Sequence, residues 1–173
     1  MKQFELNTKT MAYMAMFAAL QLVLELLTQF TPSMPQGGNV AFSLIALFLC
    51  SYLMSPVYGA IVSLVCVGMH FVLGFATFYG PLSVVFDYVL PMLLVGLTGI
   101  IPIVKIKDNI VPVGIVIMMI LKTISHLIAG WLAFDTPLAG NLAYNLPYNI
   151  ATFVACYLLF VILYPRLKHV IRI

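Results

Sequence analysis

LKTISHLIAG, residues 121–130, lies in the middle of an apolar run that extends from about 110 to 134. Lys122, His126 and Gly130 are four residues apart, close to one helical turn, so a helix stacks them on one face. A run of some 25 residues is long enough to cross a bilayer. A lysine and a histidine inside such a run need something other than lipid to face.

The composition points the same way. Of the 173 residues, 64% are hydrophobic and 8% are charged, and the mean hydropathy is +1.13. A water-soluble domain of this length has no use for so much apolar surface, whereas a chain whose outside meets lipid does. At about 20 residues per crossing, the chain has room for roughly five to seven spans. Six apolar runs are visible, near 10–30, 40–54, 57–73, 81–104, 110–134 and 142–164. Turn-rich or charged breakers separate them: TPSMPQGG, GFATFYG, KIKDN and DTPLAGN. Only Met54-Ser55-Pro56 divides the second run from the third, which reads as a kinked pair or a tight hairpin. No repeat, low-complexity tract or soluble domain is apparent. The first run has no convincing cleavage site, so it is kept as a span. The expectation is an all-α integral membrane bundle of six transmembrane helices, with residues 1–173 as a single transmembrane domain.

Six spans alternate so that the N-terminus, 54–56, 105–109 and the C-terminus share a side. Lys2, Lys9, Lys105, Lys107, Arg166, Lys168 and Arg172 all fall there, and the remaining basic residue is Lys122. By the positive-inside rule both termini are cytoplasmic. The net charge of +3 is then a matter of topology and carries no implication of nucleic acid. The cysteines, Cys50, Cys66 and Cys156, fall inside spans with no metal-ligand spacing and read as small buried hydrophobes.

With that orientation, Lys122 lies near mid-membrane and His126 one turn further out. Asp87-Tyr88 lies about two turns into the fourth span from the outer surface. Tyr144, Asn145, Tyr148 and Asn149 occupy the outer part of the sixth. Three helices thus bring polar groups to one depth, while their inner halves are almost wholly apolar. An Asp87–Lys122 pair bracing the helices is one explanation. It leaves His126, Tyr88, Tyr144, Tyr148 and Asn149 at the same level unexplained, and a polar, aromatic-lined small-molecule pocket open to the outside accounts for them. Glu25 and Gln29 read as snorkelling to the interface, His70 as a structural helix-end histidine, and Trp131 as an interfacial anchor or a pocket wall. The chain has no GxxxxGK[ST] loop, HExxH, GxSxG or paired carboxylates on one helix, so binding or transport is the expected class, without an enzyme activity, a cofactor or a metal. In the first helix, Ala15-xxx-Ala19 has the small-xxx-small spacing that admits a close neighbour, either within the bundle or on another protein.

SMPQGGNV, PLSVVFDY, KTISHLIAGWLAF and AYNLPYN, in that order across nearly the whole chain, resemble the thiamine-specific substrate-binding subunit (S component) of energy-coupling-factor vitamin importers. The resemblance implies a multi-pass protein of the cell membrane that captures thiamine from outside. It further implies partnership with a transmembrane coupling subunit and two cytoplasmic ATPase subunits. On matching positions, it implies that Asp87 hydrogen-bonds the aminopyrimidine. Tyr88, Lys122, His126, Gly130, Tyr144 and Asn149 would line the pocket, and Gln36, within Pro35-Gln36-Gly37-Gly38, would belong to the segment that closes over the ligand. Ala15 and Ala19 would dock on the coupling subunit. Phe134 would be the surface that stacks on the pyrimidine, a smaller aromatic where a tryptophan is common in the family, and Thr77 stands where a tyrosine is common. A different vitamin or a pyrimidine precursor therefore stays open as the ligand. A stand-alone proton-coupled transporter using Asp87, Lys122 and His126 is the rival reading, for which neither repeats nor broken helices are evident.

Overall fold

The computed structural model describes residues 5–31, 33–34, 38–107 and 109–171. Six helices carry the fold: α1 Thr8–Thr28, α2 Leu44–Leu53, α3 Pro56–Val72, α4 Pro81–Ile100, α5 Val113–Leu132 and α6 Leu138–Leu167. Their starts are written in the sequence. Asn7 caps α1 and exchanges side-chain bonds with Thr10 in a capping box. Proline opens α3 and α4, where its missing N–H costs nothing.

Among the described residues, α1, α4, α5 and α6 are long and apolar enough to cross a membrane, while α2 and α3 are shorter. The run at 40–54 condenses into 10 helical residues, a rise of about 15 Å. That helix is the centre of the core. Ala46, Leu47, Phe48 and Cys50 have no exposed surface, and Phe17 of α1, Val62 and Cys66 of α3, Val95 of α4, Ile115 of α5 and Phe160 of α6 surround them. Lipid-facing stripes lie on the other side of the long helices, as with the exposed Ile150, Val154 and Leu158 of α6. Helices α3 and α4 meet at Gly59 and Gly96, where a Cβ on either would run into the other's carbonyl. All three cysteines are free and buried.

Two expectations are corrected by the fold. It is not wholly helical: Val104–Ile106 (β1) pairs antiparallel with Asn109–Val111 (β2), Val104 opposite Val111. Pro102 and Pro112 stop the helices on either side, and the alternating V-K-I pattern suits a strand; Lys107 turns the chain at φ 55°. Glu25, expected at the interface, is buried instead. Its carboxylate accepts from Ser43 Oγ at 2.6 Å and from Gln29 Nε2 at 3.2 Å, and Gln21 reaches His70 Nε2 at 3.0 Å. Ser43 at the start of α2, His70 of α3 and Gln29 at the end of α1 satisfy these groups, so water is not needed.

The helix ends sort into two levels. At one, Tyr58 donates to Glu5 O at 2.7 Å, Tyr52 donates to Ile101 O at 3.0 Å, and the Tyr52 ring packs on Tyr164. At the other, Gly38, the 74–80 loop and the 133–137 turn converge on α4 and α6.

Candidate functional site

The site begins with a proline. Residues Val84–Val89 of α4 wind as a π-helix, and Leu90 N–H bonds Val85 O, five residues back. The next bond in that pattern would run from residue 91 to Phe86 O, but residue 91 is proline and has no N–H. Ser125 of α5 supplies the missing donor, its Oγ lying 2.6 Å from Phe86 O. This exchange ties α4 to α5 and sets the widened turn that carries Asp87. Wide turns of this kind recur at functional sites.

Asp87 is held from two sides. Ser83, one turn earlier and fully buried, donates from Oγ to Oδ2 at 2.9 Å. His126 Nδ1 lies 3.1 Å from Oδ1. The other imidazole nitrogen, Nε2, is 3.0 Å from Lys122 Nζ, and Lys122 donates to Asn149 Oδ1 at 2.7 Å. An ammonium has hydrogens to give and no lone pair, so Nε2 must accept and the ring proton sits on Nδ1, facing the carboxylate. The result is a directed chain from Lys122 through His126 to Asp87, with a branch to Asn149. It crosses α4, α5 and α6.

Asn149 belongs to a ladder on the buried face of α6. Asn141, Asn145 and Asn149 recur every four residues, one helical turn. Asn149 Nδ2 donates to Asn145 O at 2.9 Å, Asn145 Nδ2 to Asn141 Oδ1 at 2.7 Å, and Asn141 Nδ2 to Leu127 O of α5 at 2.7 Å. Tyr148 donates to Asn145 Oδ1 at 2.5 Å. These bonds satisfy the amides and lock the Tyr148 ring, which lies edge-on to His126 and to Tyr144. Lys122 Nζ stands 5.9 Å from the centre of the same ring, within cation–π range.

The remaining candidates fall around this centre. Tyr144 OH accepts from Gly38 N at 3.0 Å, so the chain just after the Pro35-Gln36-Gly37 segment rests on the site; Gln36 itself, with Pro35 and Gly37, lies outside the described residues. Tyr88 packs its ring on Phe71, and its hydroxyl meets the backbone N and O of Thr77 at 3.2 and 3.3 Å. Tyr88 thereby pins the 74–80 loop. Two residues on, Tyr79 lays its ring against Phe134 at 5.4 Å. Gly130 is buried against α6, where a Cβ would overlap the Asn141 amide. Trp131, left open as an anchor or a pocket wall, is exposed on the outside of α5. Ala15 and Ala19 are exposed on α1. Asp87 and Lys122 do not form the direct pair that bracing would need; His126 bridges them instead. Sequence reasoning missed Ser83, Ser125 and Asn141, although the S-x-x-x-D and N-x-x-x-N-x-x-x-N spacings were there to read.

This architecture is shared with known proteins. A solved structure, described as "Structure and mechanism of the S component of a bacterial ECF transporter", superposes with a TM-score of 0.69 and 23% identity, over 95% of this chain and 98% of its own. At that identity the match establishes a shared fold. No curated protein matches the chain. A family model described as "Thiamine transporter protein (Thia_YuaJ)" matches residues 11–172, nearly the whole length. The chain belongs to the Thia_YuaJ family of thiamine transporter proteins.

Proposed function

We propose that this multi-pass membrane protein is the substrate-binding S component of an energy-coupling-factor importer, and that it captures thiamine between α4, α5 and α6. The observation that carries the reading is the buried Lys122–His126–Asp87 chain with its Asn149 branch, roofed by the Tyr144 and Tyr148 rings. Thiamine combines a permanently cationic thiazolium with a planar aminopyrimidine of alternating donors and acceptors. A carboxylate and aromatic faces suit the cation. Asp87, His126, Asn149 and the tyrosine hydroxyls offer the polar complement for the ring in one neighbourhood. Lys122 gives hydrogens to His126 and Asn149, which orients the carboxylate and engages the ammonium away from a bound cation.

In this reading the helices cross the cell membrane six times, and both termini lie on the cytoplasmic side with Lys105, Lys107, Arg166 and Lys168. The ligand enters from the opposite face, where Gly38 rests on Tyr144. Ala15 and Ala19, exposed on α1, receive the transmembrane coupling subunit, and two ATPases supply the energy that a chain without a phosphate-binding loop cannot. The protein itself performs no chemistry.

Calorimetric titration of the purified protein with thiamine tests this, with nanomolar affinity expected. Tight binding of another vitamin, with thiamine weaker than micromolar, would reassign the ligand. The hydrogen-bonded Asp–His–Lys series is also what a proton relay would use, the rival stand-alone transporter. On the inner side of Lys122, however, α5 buries Met118, Met119 and Ile115 and α6 buries Thr152, Cys156 and Phe160, with no further carboxylate or histidine among them, and the chain branches back along the asparagine ladder. Proton-driven thiamine uptake into vesicles holding this protein alone would establish that reading instead.

A further inference from the structure

A second polar cleft lies at the opposite end from the aromatic site. It has a volume of about 310 Å³ and is walled by the Tyr52 and Tyr164 rings, by Ile103 and Ile110, and by two lysines, Lys105 and Lys168. The lysines come from separate elements, one from β1 and one from the residue that caps α6. Neither ammonium has a hydrogen-bond or ion-pair partner among the described residues.

The hairpin explains how the cleft is built. Ile103, Lys105 and Ile110 share one face of the ribbon, because Lys105 stands directly opposite Ile110 and Ile103 is two residues from Lys105. Val104 and Ile106 occupy the other face and are exposed. The ribbon joins the ends of two long apolar helices, α4 and α5. An element there with one bare apolar face belongs at a membrane–water boundary, where tyrosines also concentrate. The cleft is therefore at headgroup depth, with cations at its mouth and apolar walls beneath.

We propose that this cleft seats the headgroup of an anionic phospholipid, its phosphate between Lys105 and Lys168 and its glyceryl carbons against Tyr52, Tyr164 and Ile103. The apolar lining selects a lipid over free phosphate, which has no hydrocarbon to place there. Basic pockets between helices on the cytoplasmic side bind acidic headgroups by this combination. The inference depends on the chain lying in a bilayer and not on which vitamin fills the other site, so thiamine titration of the same variants is expected to be unchanged.

The test is native mass spectrometry of the full chain released from nanodiscs of mixed phosphatidylglycerol and phosphatidylcholine. One retained phosphatidylglycerol is expected. Each of Lys105→Gln and Lys168→Gln should reduce its retention about fivefold, and the double variant about 25-fold. Lys107→Gln, on the same hairpin but outside the cleft, should change it less than twofold, and thermal melting checks that all variants fold. Undiminished retention in the double variant overturns the site. Equal losses for Lys107→Gln and the cleft variants would mean diffuse surface attraction and also overturn it. Displacement of the lipid by millimolar inorganic phosphate, with phosphate binding equally well in pure phosphatidylcholine, would make it a phosphate site and reject the lipid.

Discussion

His126 Nδ1 lies 3.1 Å from Asp87 Oδ1, a hydrogen bond that joins α5 to α4. The carboxylate is thus reached by a neutral imidazole whose tautomer is set from behind by Lys122, and not by the ammonium itself. Ser83 and His126 between them fix the orientation of the carboxylate.

Asp87→Asn is therefore expected to weaken thiamine binding by about ten- to a hundredfold, since a charge-assisted hydrogen bond contributes roughly 1.5–3 kcal/mol. Calorimetry measures it. Ligand-free melting should change little, because Lys122 keeps Asn149. A large loss of melting temperature, restored by adding Lys122→Met, would instead mean that Asp87 braces the helices.

His126→Phe keeps an aromatic ring beside Tyr148 and removes both nitrogens. It leaves Asp87 with Ser83 as its remaining donor and Lys122 with one acceptor fewer, so both affinity and stability should fall, the stability by about 1–3 kcal/mol. His126→Gln, which can accept and donate, should recover part of each. Comparing the two variants by titration and by chemical denaturation separates loss of the chain from loss of volume.

Ser125→Ala should orphan the Phe86 carbonyl in the π-helical turn and cost about 1–3 kcal/mol. Pro91→Ala in the same protein restores a backbone N–H and should return much of that stability. The double variant, melted beside both singles, reads the coupling directly. Additive losses would show that Ser125 does not stand in for the proline.

Gly96→Ala pushes a methyl into the Gly59 carbonyl at the crossing of α3 and α4. Overpacking at such a contact costs about 1–3 kcal/mol. Thiamine affinity should follow only as far as the folded fraction does, because the crossing lies away from Asp87. A melting temperature equal to that of the parent would mean the helices part without cost.

Ala15→Trp and Ala19→Trp alter exposed positions on α1. Affinity should stay within a few-fold of the parent, while ATP-driven uptake with the coupling module is lost. An equal loss of binding would show that this surface packs inside the bundle.

What the sequence determined alone was what needs no partner to be legible. Runs of apolar residues set the helices, because a bilayer demands about 20 of them per crossing whatever they pack against. Proline and asparagine caps set where helices start. The coincidence in depth of Asp87, Lys122, His126 and Asn149 followed from counting turns. The tertiary structure decided which of these groups touch. That His126 separates Lys122 from Asp87, and that Ser125 answers the proline at 91, depends on how α4 and α5 rotate about their axes. The burial of Glu25 depends in the same way on how α1 sits against α2 and α3. Helical period alone leaves that rotation free. The hairpin at 104–111 escaped for a related reason: six residues of strand are stable only through their cross-strand bonds, and those pairings are made in space, not along the chain.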